Sequence, residues 1–338
     1  MEYFPWWSEA QKKLAAEAKQ FTDEVLIPLG TKCAWKQEFH WEALREIGKK
    51  GWFGTLIPKR YGGRMEDWGA TGACIILAEI GRAGEISVSG FDPWGINLWS
   101  LVNHGTEEQK QRWLPRIASG ELLCSITMAL SSKKYSRRHL EPTAVRDGDY
   151  YIVNGKKRFQ TGSAAAHLYM TYVKTSDKPE DRRRHNHLTG LIIEKGTPGF
   201  TIERVNDLMG MDGIYNCYMN FDNVHVPLAN RIGEENMGWW VMMRGLNVER
   251  VFATAPLLGA MQEELRYTVQ HLQRRVQFGA TTGDITTNQF KLADMIAKLW
   301  LARVAVYYAA YCADLGRDVP MEAAAAKATA EVEEAKAK

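Results

Sequence analysis

The chain has 338 residues, of which 45% are hydrophobic and 25% charged, a composition typical of globular proteins and a length that predicts roughly two to three domains. Its formal net charge of +3 is too small to mark a nucleic-acid-binding surface. No apolar run is long enough to span a membrane, and residues 1–9 lack the basic start and apolar core of a signal peptide. We therefore expect a cytoplasmic protein with no nucleic-acid or membrane partner.

The cysteines are far apart in sequence and include no C-x-x-C pair. No histidine stands at ligand spacing from them, so a zinc or iron–sulfur site is not expected. The pattern favours reduced, mostly buried thiols and no bound metal. The cysteines are Cys33, Cys74, Cys124, Cys217 and Cys312.

The first part of the chain, to about residue 120, has a helical pattern. Ser8 is a candidate N-cap. Apolar residues then recur at three- and four-residue steps along one helix face, at Leu14, Ala18, Phe21 and Val25. This pattern predicts an N-terminal helical domain.

The period changes near residue 149 to short β-rich runs bounded by turn residues. The stretch 174–187 between two runs is polar, charge-dense and contains Pro179. It predicts a solvated excursion, rather than a phosphate clamp, for Arg182 to Arg184. The runs indicate a β domain and cover residues 149–153, 188–194, 199–203 and 217–222.

Helical patterns return after residue 238. One helix is predicted from about Trp239 to Val276, with Pro256 as a candidate break point, and a second from about Asn288 to Leu315. Residues 321–338 are rich in Ala, Glu and Lys and favour a further helix. The sequence has no G-x-G-x-x-G after a strand and no G-x-x-x-x-G-K-[ST], so no Rossmann or P-loop nucleotide site is expected.

Blocks of this sequence, taken in order, resemble the acyl-CoA dehydrogenase family. Residues 51–63 are similar to its G-x-x-x-P-x-x-Y-G-G turn, residues 105–121 to the run that closes its N-terminal domain, and residues 147–157 to its GD-x-Y-x-(I/L)-NG-x-K hairpin. Members of the family usually continue past the position that matches Lys338, with a Gly-Gly turn and often the catalytic glutamate. The resemblance therefore implies that the C-terminal segment is missing from this chain.

The resemblance implies an α+β multidomain fold in three parts. An N-terminal α-helical domain is expected at residues 1–121. A middle antiparallel β domain is expected at residues 122–228, and a truncated C-terminal helical bundle at residues 229–338.

Bound FAD is also implied by the resemblance, and four positions match the motifs that hold the flavin ring. Ala129 and Ser131 stand where the family has A-L-[ST], and Phe159 and Thr161 where it has W-I-[TS], with Phe in place of Trp. The hydroxyls would bond the ring edge, and Phe159 would keep an apolar stacking face. Without the family motifs, Thr161 would be read as a β-branched structural residue.

A second cofactor motif follows the long C-terminal helix. Arg275 and Phe278 match the family's R-x-x-F-G, which implies that they reach the flavin nucleotide across a subunit interface. Taken alone, an arginine at this place is ordinary helix-dipole compensation. Gln289 matches the family's following glutamine, although the connection from Ala280 to Asn288 is longer than usual.

The largest departure from the family lies at residues 132–140. The family reads E-P-G-x-G-S-D there, whereas this chain has no glycine, so the local backbone is expected to differ. Three interpretations remain open: a remodelled site for CoA phosphate or an acidic substrate, a mobile loop, or a subunit that has lost the flavin. The cations of the first interpretation are Lys133, Lys134, Arg137 and Arg138.

Residues 246–250 resemble the L-x-x-E-R stretch of isovaleryl-CoA dehydrogenases, which places the catalytic base at Glu249. A carboxylate in a dry pocket has a raised pKa, which suits abstraction of the α proton of a thioester. By the same resemblance, Asn247 and Arg250 contact the substrate. The alternative is a structural Glu–Arg ion pair or a solvated helix face.

The resemblance implies a flavin-dependent oxidoreductase of fatty acid metabolism that removes hydrogen from the α and β carbons of an acyl-CoA thioester. Hydride would pass to flavin N5. An acyl-CoA substrate, an electron-transfer flavoprotein and a homodimer or homotetramer are the expected partners. Two alternatives stay open: a non-catalytic subunit or binding protein with this fold, and a flavin monooxygenase-type relative.

Overall fold

A computed structural model of the chain describes residues 3–36, 38–84, 94–127, 142–209 and 213–337. Over these ranges, the first part of the chain is helical, as predicted. Its helices are α1 (Glu9–Phe21), α2 (Ile27–Lys36), α3 (Trp41–Lys49), α4 (Met65–Gly81), α5 (Ile96–His104) and α6 (Glu107–Ala118).

The start of α1 confirms the predicted N-cap. The Ser8 hydroxyl accepts a hydrogen bond from the Gln11 N–H, and the Gln11 side chain accepts one from the Ser8 N–H, which completes a capping box. Leu14, Ala18 and Phe21 are buried, so the apolar face read from the sequence is the face that packs in the core.

A single sheet forms the middle of the molecule. Its strands within the described ranges are β1 (Cys124–Thr127), β2 (Thr143–Asp147), β3 (Tyr150–Gln160), β4 (Leu168–Lys174), β5 (Leu188–Glu194), β6 (Phe200–Val205), β7 (Cys217–Pro227) and β8 (Arg231–Ile232). They lie in the order β6–β7–β3–β2–β4–β5–β8, with β1 beside β4.

The sheet is mixed, and in this respect the prediction of an antiparallel domain needs correction. Most neighbours are antiparallel, but β1 and β2 both pair with β4 in parallel. The β2–β3 hairpin lies between β1 and β4 in sequence, so β4 returns to β1 in the same direction rather than through a tight turn. The stretch 174–187 contains the short helix α7 (Pro179–Arg183), and residues 182–185 are exposed, as predicted for a solvated excursion.

The last part of the chain is helical again. It comprises α8 (Gly238–Arg274), a small hairpin of β9 (Val276–Gln277) and β10 (Ala280–Thr281), α9 (Thr286–Asp314) and α10 (Pro320–Ala337). None of the helices over the described ranges combines the length and apolar character needed to cross a bilayer.

Pro256 does not break α8, contrary to its role as a candidate break point. The helix is held at this place by close contact with α4. A Cβ added to Gly81 would lie 2.0 Å from the Pro256 carbonyl oxygen, and one added to Gly259 would lie 1.9 Å from the Ala78 carbonyl oxygen. The two backbones touch, and this packing outweighs the roughly 3 kcal/mol that a proline costs in a helix interior.

Candidate active site

Glu249 lies where α8 meets the start of α5. Its carboxylate Oε2 accepts a hydrogen bond of 2.7 Å from the backbone N–H of Ile96, the first residue of α5. The first N–H groups of a helix have no partner inside it, so Glu249 caps α5 from another helix. Among the described residues, no hydrogen bond to the other oxygen, Oε1, is found, which leaves that oxygen for acid–base chemistry.

Burial raises the pKa of Glu249 from 4.5 to about 7. The hydrogen bond from Ile96 and the charges of Lys327 and Arg250 act in the opposite direction and favour the ionised form. Lys327 lies on α10, which packs against α8, and its ammonium also pairs with Glu331. A carboxylate with this pKa is a stronger base than an exposed one and is still ionised in about half of the molecules at neutral pH.

Tyr172 of β4 connects the surroundings of Glu249 to the sheet. Its buried hydroxyl is 3.0 Å from the Ser100 hydroxyl of α5, and burial raises its pKa, with the Glu249 carboxylate adding to the rise. Its carbonyl oxygen accepts a hydrogen bond of 3.0 Å from the buried ammonium of Lys157. Lys157 precedes Phe159 by two residues on β3, so these contacts join α5, which Glu249 caps, to the strand expected to face the flavin.

The other predicted residues of α8 are next to Glu249. The Arg250 guanidinium donates from Nη1 to Asn247 Oδ1 at 3.1 Å, and Asn247 donates from Nδ2 to Asp318 Oδ1 at 3.3 Å. Glu249 is bonded to Ile96 rather than to Arg250, so the alternative of a structural Glu249–Arg250 pair is not what the geometry shows.

An irregularity in the pairing of β3 accompanies the exposure of the Phe159 side chain. The pairing with β7 shifts register between Lys157 and Gln160, and Phe159 takes a φ of 55°, which is unfavourable for a bulky residue. Its side chain is 59% exposed and meets the edge of Tyr218 with ring centroids 5.3 Å apart. The strand thus holds an aromatic face towards solvent, as a planar ligand would require.

Thr161 follows at the end of the same strand. Its hydroxyl oxygen accepts a hydrogen bond of 3.1 Å from Asn216 Nδ2, so its own proton remains available to a ligand. Its carbonyl oxygen accepts a hydrogen bond from Ser125 of β1. These contacts hold both the side chain and the backbone of Thr161 at the end of β3.

The second group of predicted cofactor residues lies at the far end of α8. Arg275 and Phe278 are exposed on the small hairpin, and Phe278 has a φ of 53° that turns it outward. Gln289 is also exposed, and its amide donates to the Gly283 carbonyl at 3.0 Å. Roughly 25 helical residues separate Glu249 from this end, a rise of about 37 Å, so one copy of the chain does not bring the two groups together.

Four predicted site residues lie outside the described residues: Ala129, Ser131, Lys133 and Arg137. The interpretations of the 132–140 segment stay predictions for the same reason. Across the ranges that are described, no group of three or more His, Cys, Asp or Glu side chains is placed to hold a metal ion. Cys74, Cys124, Cys217 and Cys312 are free and buried, as expected for reduced thiols.

Comparisons with known proteins identify the family. The mitochondrial isovaleryl-CoA dehydrogenase of Pongo abelii is 32% identical over 312 residues, which cover 91% of this chain and 73% of that protein. The chain belongs to the acyl-CoA dehydrogenase family. The family models for the N-terminal, middle and C-terminal domains of acyl-CoA dehydrogenase match residues 8–121, 131–224 and 236–335, respectively.

Two further comparisons agree with this assignment. An acyl-CoA dehydrogenase of Bacillus subtilis is 32% identical over 323 residues, covering 95% of this chain and 83% of that protein. The solved structure of butyryl-CoA dehydrogenase from Megasphaera elsdenii has a TM-score of 0.91 and 27% identity, and the match covers 100% of this chain and 87% of that one. The predicted family and fold class are confirmed.

One part of the prediction was wrong. The C-terminal family model matches residues 236–335, so the C-terminal segment that the resemblance implied to be missing is present in this chain. Helices α8, α9 and α10 are the helices of the matched range.

The family assignment supports FAD as the cofactor, and the described residues fit it. Phe159 and Thr161 offer an exposed aromatic face beside a hydroxyl whose proton is available, which suits the edge of a flavin ring. Arg275 and Phe278 offer an exposed guanidinium and ring, which suit a diphosphate and its nucleotide.

Some site residues could not be found from the sequence. Ile96 contributes through its backbone N–H, which almost every residue type has, so the amino-acid sequence does not reveal this contact. Tyr172, Asp318 and Lys327 reach the site from separate elements, and no local motif links them to Glu249. The one available signal was Lys157, which belongs to the NG-x-K block.

Proposed function

We propose that this protein is a flavin-dependent acyl-CoA dehydrogenase in which Glu249 removes the α proton of the thioester. The observation that carries the proposal is the half-buried Glu249 carboxylate, whose pKa is raised to about 7 and whose Oε2 is fixed by the Ile96 N–H. The α proton would pass to Oε1 while Ile96 continues to hold Oε2 in place. Bound FAD would supply the acceptor for the hydride that leaves the β carbon.

Substrate contacts are proposed for two groups of residues. Asn247 and Arg250 stand within one helical turn of Glu249, where they would meet the thioester end of the substrate. Lys133 and Arg137 replace a glycine turn with cations and would contact anionic groups of CoA.

The cofactor site would be completed by two copies of the chain. Ala129, Ser131, Phe159 and Thr161 of one copy would hold the flavin ring. Arg275 and Phe278 of a second copy would hold the nucleotide, and we keep Gln289 with them. The roughly 37 Å of helix between Glu249 and the β9–β10 hairpin supports this division.

A homodimer or homotetramer follows from that arrangement. The exposed apolar side chains of α9 support it, because large apolar patches on soluble proteins usually mark interfaces. They are Phe290, Ile296, Trp300, Leu301 and Tyr308.

We also propose an electron-transfer flavoprotein as electron acceptor, a role in fatty acid metabolism and a cytoplasmic location. The proposed domain limits are at residues 121/122 and 228/229.

Replacement of Glu249 by Gln tests the proposed base. The amide keeps the shape and can still accept from Ile96, but it is not basic, so FAD should remain bound while flavin bleaching by acyl-CoA slows on the order of 10²-fold or more. Stopped-flow absorbance with a panel of straight-chain and branched acyl-CoA thioesters measures this. Glu17→Gln, at a surface ion pair with Lys50, is the matched control and should react at the wild-type rate. A Glu249→Gln protein with the wild-type rate would show that the base is another residue.

The same preparation separates the two alternative functions. A purified protein without flavin absorbance that also does not take up added FAD would support the non-catalytic subunit. Rapid oxygen consumption by the reduced protein, with no bleaching by any acyl-CoA, would support the monooxygenase-type relative.

A further inference from the structure

The substrate-contacting residues proposed on α8 are bonded to a residue from outside that helix. Arg250 donates to Asn247 Oδ1 at 3.1 Å, and Asn247 donates through Nδ2 to Asp318 Oδ1 at 3.3 Å. Asp318 follows these residues by about 70 positions in the chain and lies in the turn between α9 and α10. The three side chains form a line that begins at the turn and ends at the guanidinium next to Glu249.

The chemistry of this line permits only one orientation of the Asn247 amide. A guanidinium can only donate hydrogen bonds, and an ionised carboxylate can only accept them. The amide must therefore direct its oxygen to Arg250 and its nitrogen to Asp318, because a flipped amide would break both bonds. Without Asp318, the amide nitrogen would lose its partner, and the bond from Arg250 alone would hold the amide in this orientation.

The turn that carries Asp318 has little freedom to move. Gly316 takes the left-handed conformation with φ of 72°, and the Arg317 N–H bonds the Cys312 carbonyl at 3.2 Å, which closes the end of α9. Val319, next to Asp318, is buried. On the other side, the Asp314 carboxylate accepts hydrogen bonds from the backbone N–H groups of α4, which ties the turn to the N-terminal helices.

We propose that Asp318 is a positioning residue for the reaction: by fixing the amide of Asn247 it directs the Arg250 guanidinium towards the thioester end of an acyl-CoA. The inference rests on the proposed function, since it takes Arg250 as a substrate contact. The effect of Asp318 is transmitted to Arg250 through two hydrogen bonds, Asn247 to Asp318 and Arg250 to Asn247.

Substitutions of Asp318 alone give a sharp test, because they leave the proposed substrate contacts in place. In Asp318→Ala, the Asn247 amide loses its acceptor, and the KM for butyryl-CoA and isovaleryl-CoA should rise about 5-fold or more. In Asp318→Asn, the new side-chain oxygen can still accept from Asn247 Nδ2, so KM should stay within about 3-fold of wild type. The kcat should change less than KM in both, as for a contact made equally in ground and transition states.

Controls separate this role from a general loss of structure. Asp294→Asn, at an exposed ion pair on α9, should leave KM and kcat unchanged, and each variant should keep the wild-type thermal midpoint within a few degrees. If Asp318→Ala does not fold, Asp318→Leu takes its place: it also removes the acceptor for Asn247, and KM should rise about 5-fold or more.

The outcomes that overturn the proposal differ from those that overturn the function. An unchanged KM in Asp318→Ala, or a KM in Asp318→Asn as high as in Asp318→Ala, removes the positioning role and leaves the dehydrogenase assignment intact. A wild-type protein that binds no CoA thioester in a calorimetric titration removes both.

Discussion

At the scale of single residues, the Glu249 carboxylate has a structural task and a proposed chemical one. One oxygen caps α5, and the other is left for the proposed proton transfer. Its raised pKa has a thermodynamic consequence: between pH 4.5 and about 7 the folded state binds more protons at this group than the unfolded state does. Its contribution to stability is therefore fully present below pH 4.5 and is lost as pH rises through about 7. The reactive, ionised form is thus the less stable one, as is common for active-site groups.

The pH dependence of the reaction tests this view. A general base acts when deprotonated, so kcat/KM should rise about tenfold per pH unit below an apparent pKa near 7 and level off above it. Steady-state rates with one acyl-CoA from pH 5.5 to 9 measure the profile. Glu249→Gln should lack this limb in its residual activity. A wild-type profile that is flat down to pH 5.5 would mean that no group with the pKa of Glu249 controls the step.

At the scale of elements, Asp314 joins the two helical parts of the molecule. Helix α4 is kinked at Gly69, and the first N–H groups after the kink, of Ala70 and Thr71, donate to the Asp314 carboxylate at 2.5 and 3.1 Å. The last residue of α9 thus acts as an N-cap for the second half of α4. Burial raises the pKa of Asp314, whereas the hydrogen bonds from Thr71 and Ala70 act in the opposite direction and favour the ionised carboxylate.

Loss of this cap should destabilise the protein. Asp314→Ala leaves two enclosed N–H groups without an acceptor, and we expect a loss of roughly 2–3 kcal/mol and a fall of several degrees in the thermal midpoint. Differential scanning fluorimetry measures the midpoint. Asp177→Ala, whose side chain is 87% exposed and pairs only with Lys174 among the described residues, should shift it by less than about 1 °C. Equal midpoints for the two variants would contradict the capping role.

The helices and strands also show how much of the structure could be predicted from the sequence. The strand from Leu188 to Glu194 was predicted with the bounds it has, because a short apolar run between turn residues depends on local pattern alone. The continuity of α8 through Pro256 was not predictable, since it depends on backbone contact with Gly81 of another helix. Likewise, Glu249 could be proposed from a local motif, whereas Asp318 could not, because about 70 residues separate it from its partner.

At the scale of the whole molecule, the length of α8 divides the proposed FAD site. Phe159 and Thr161, which we propose to hold the flavin ring, lie at the end of β3 close in sequence to Lys157, and Arg275 and Phe278, which we propose to hold the nucleotide, lie at the hairpin beyond the far end of the helix. Exposed apolar side chains on α9 lie in the same part of the chain as that hairpin. A second copy packed against α9 would cover the apolar face and could bring its hairpin to the sheet of the first copy.

Assembly and FAD binding should therefore be lost together. Leu301→Glu places a charge in the exposed apolar face of α9, where it would be buried unpaired in an oligomer, so the protein should become monomeric and lose FAD. Arg275→Ala should keep the oligomer but weaken FAD binding on the order of 10-fold or more, because a charged hydrogen bond to the diphosphate is removed. Light scattering at micromolar concentration gives the mass, and flavin fluorescence on dilution gives the affinity. Lys291→Ala, an exposed polar position on the same helix, is the control and should change neither. A monomeric Leu301→Glu protein that retains FAD with wild-type affinity would show that one copy of the chain holds the whole cofactor.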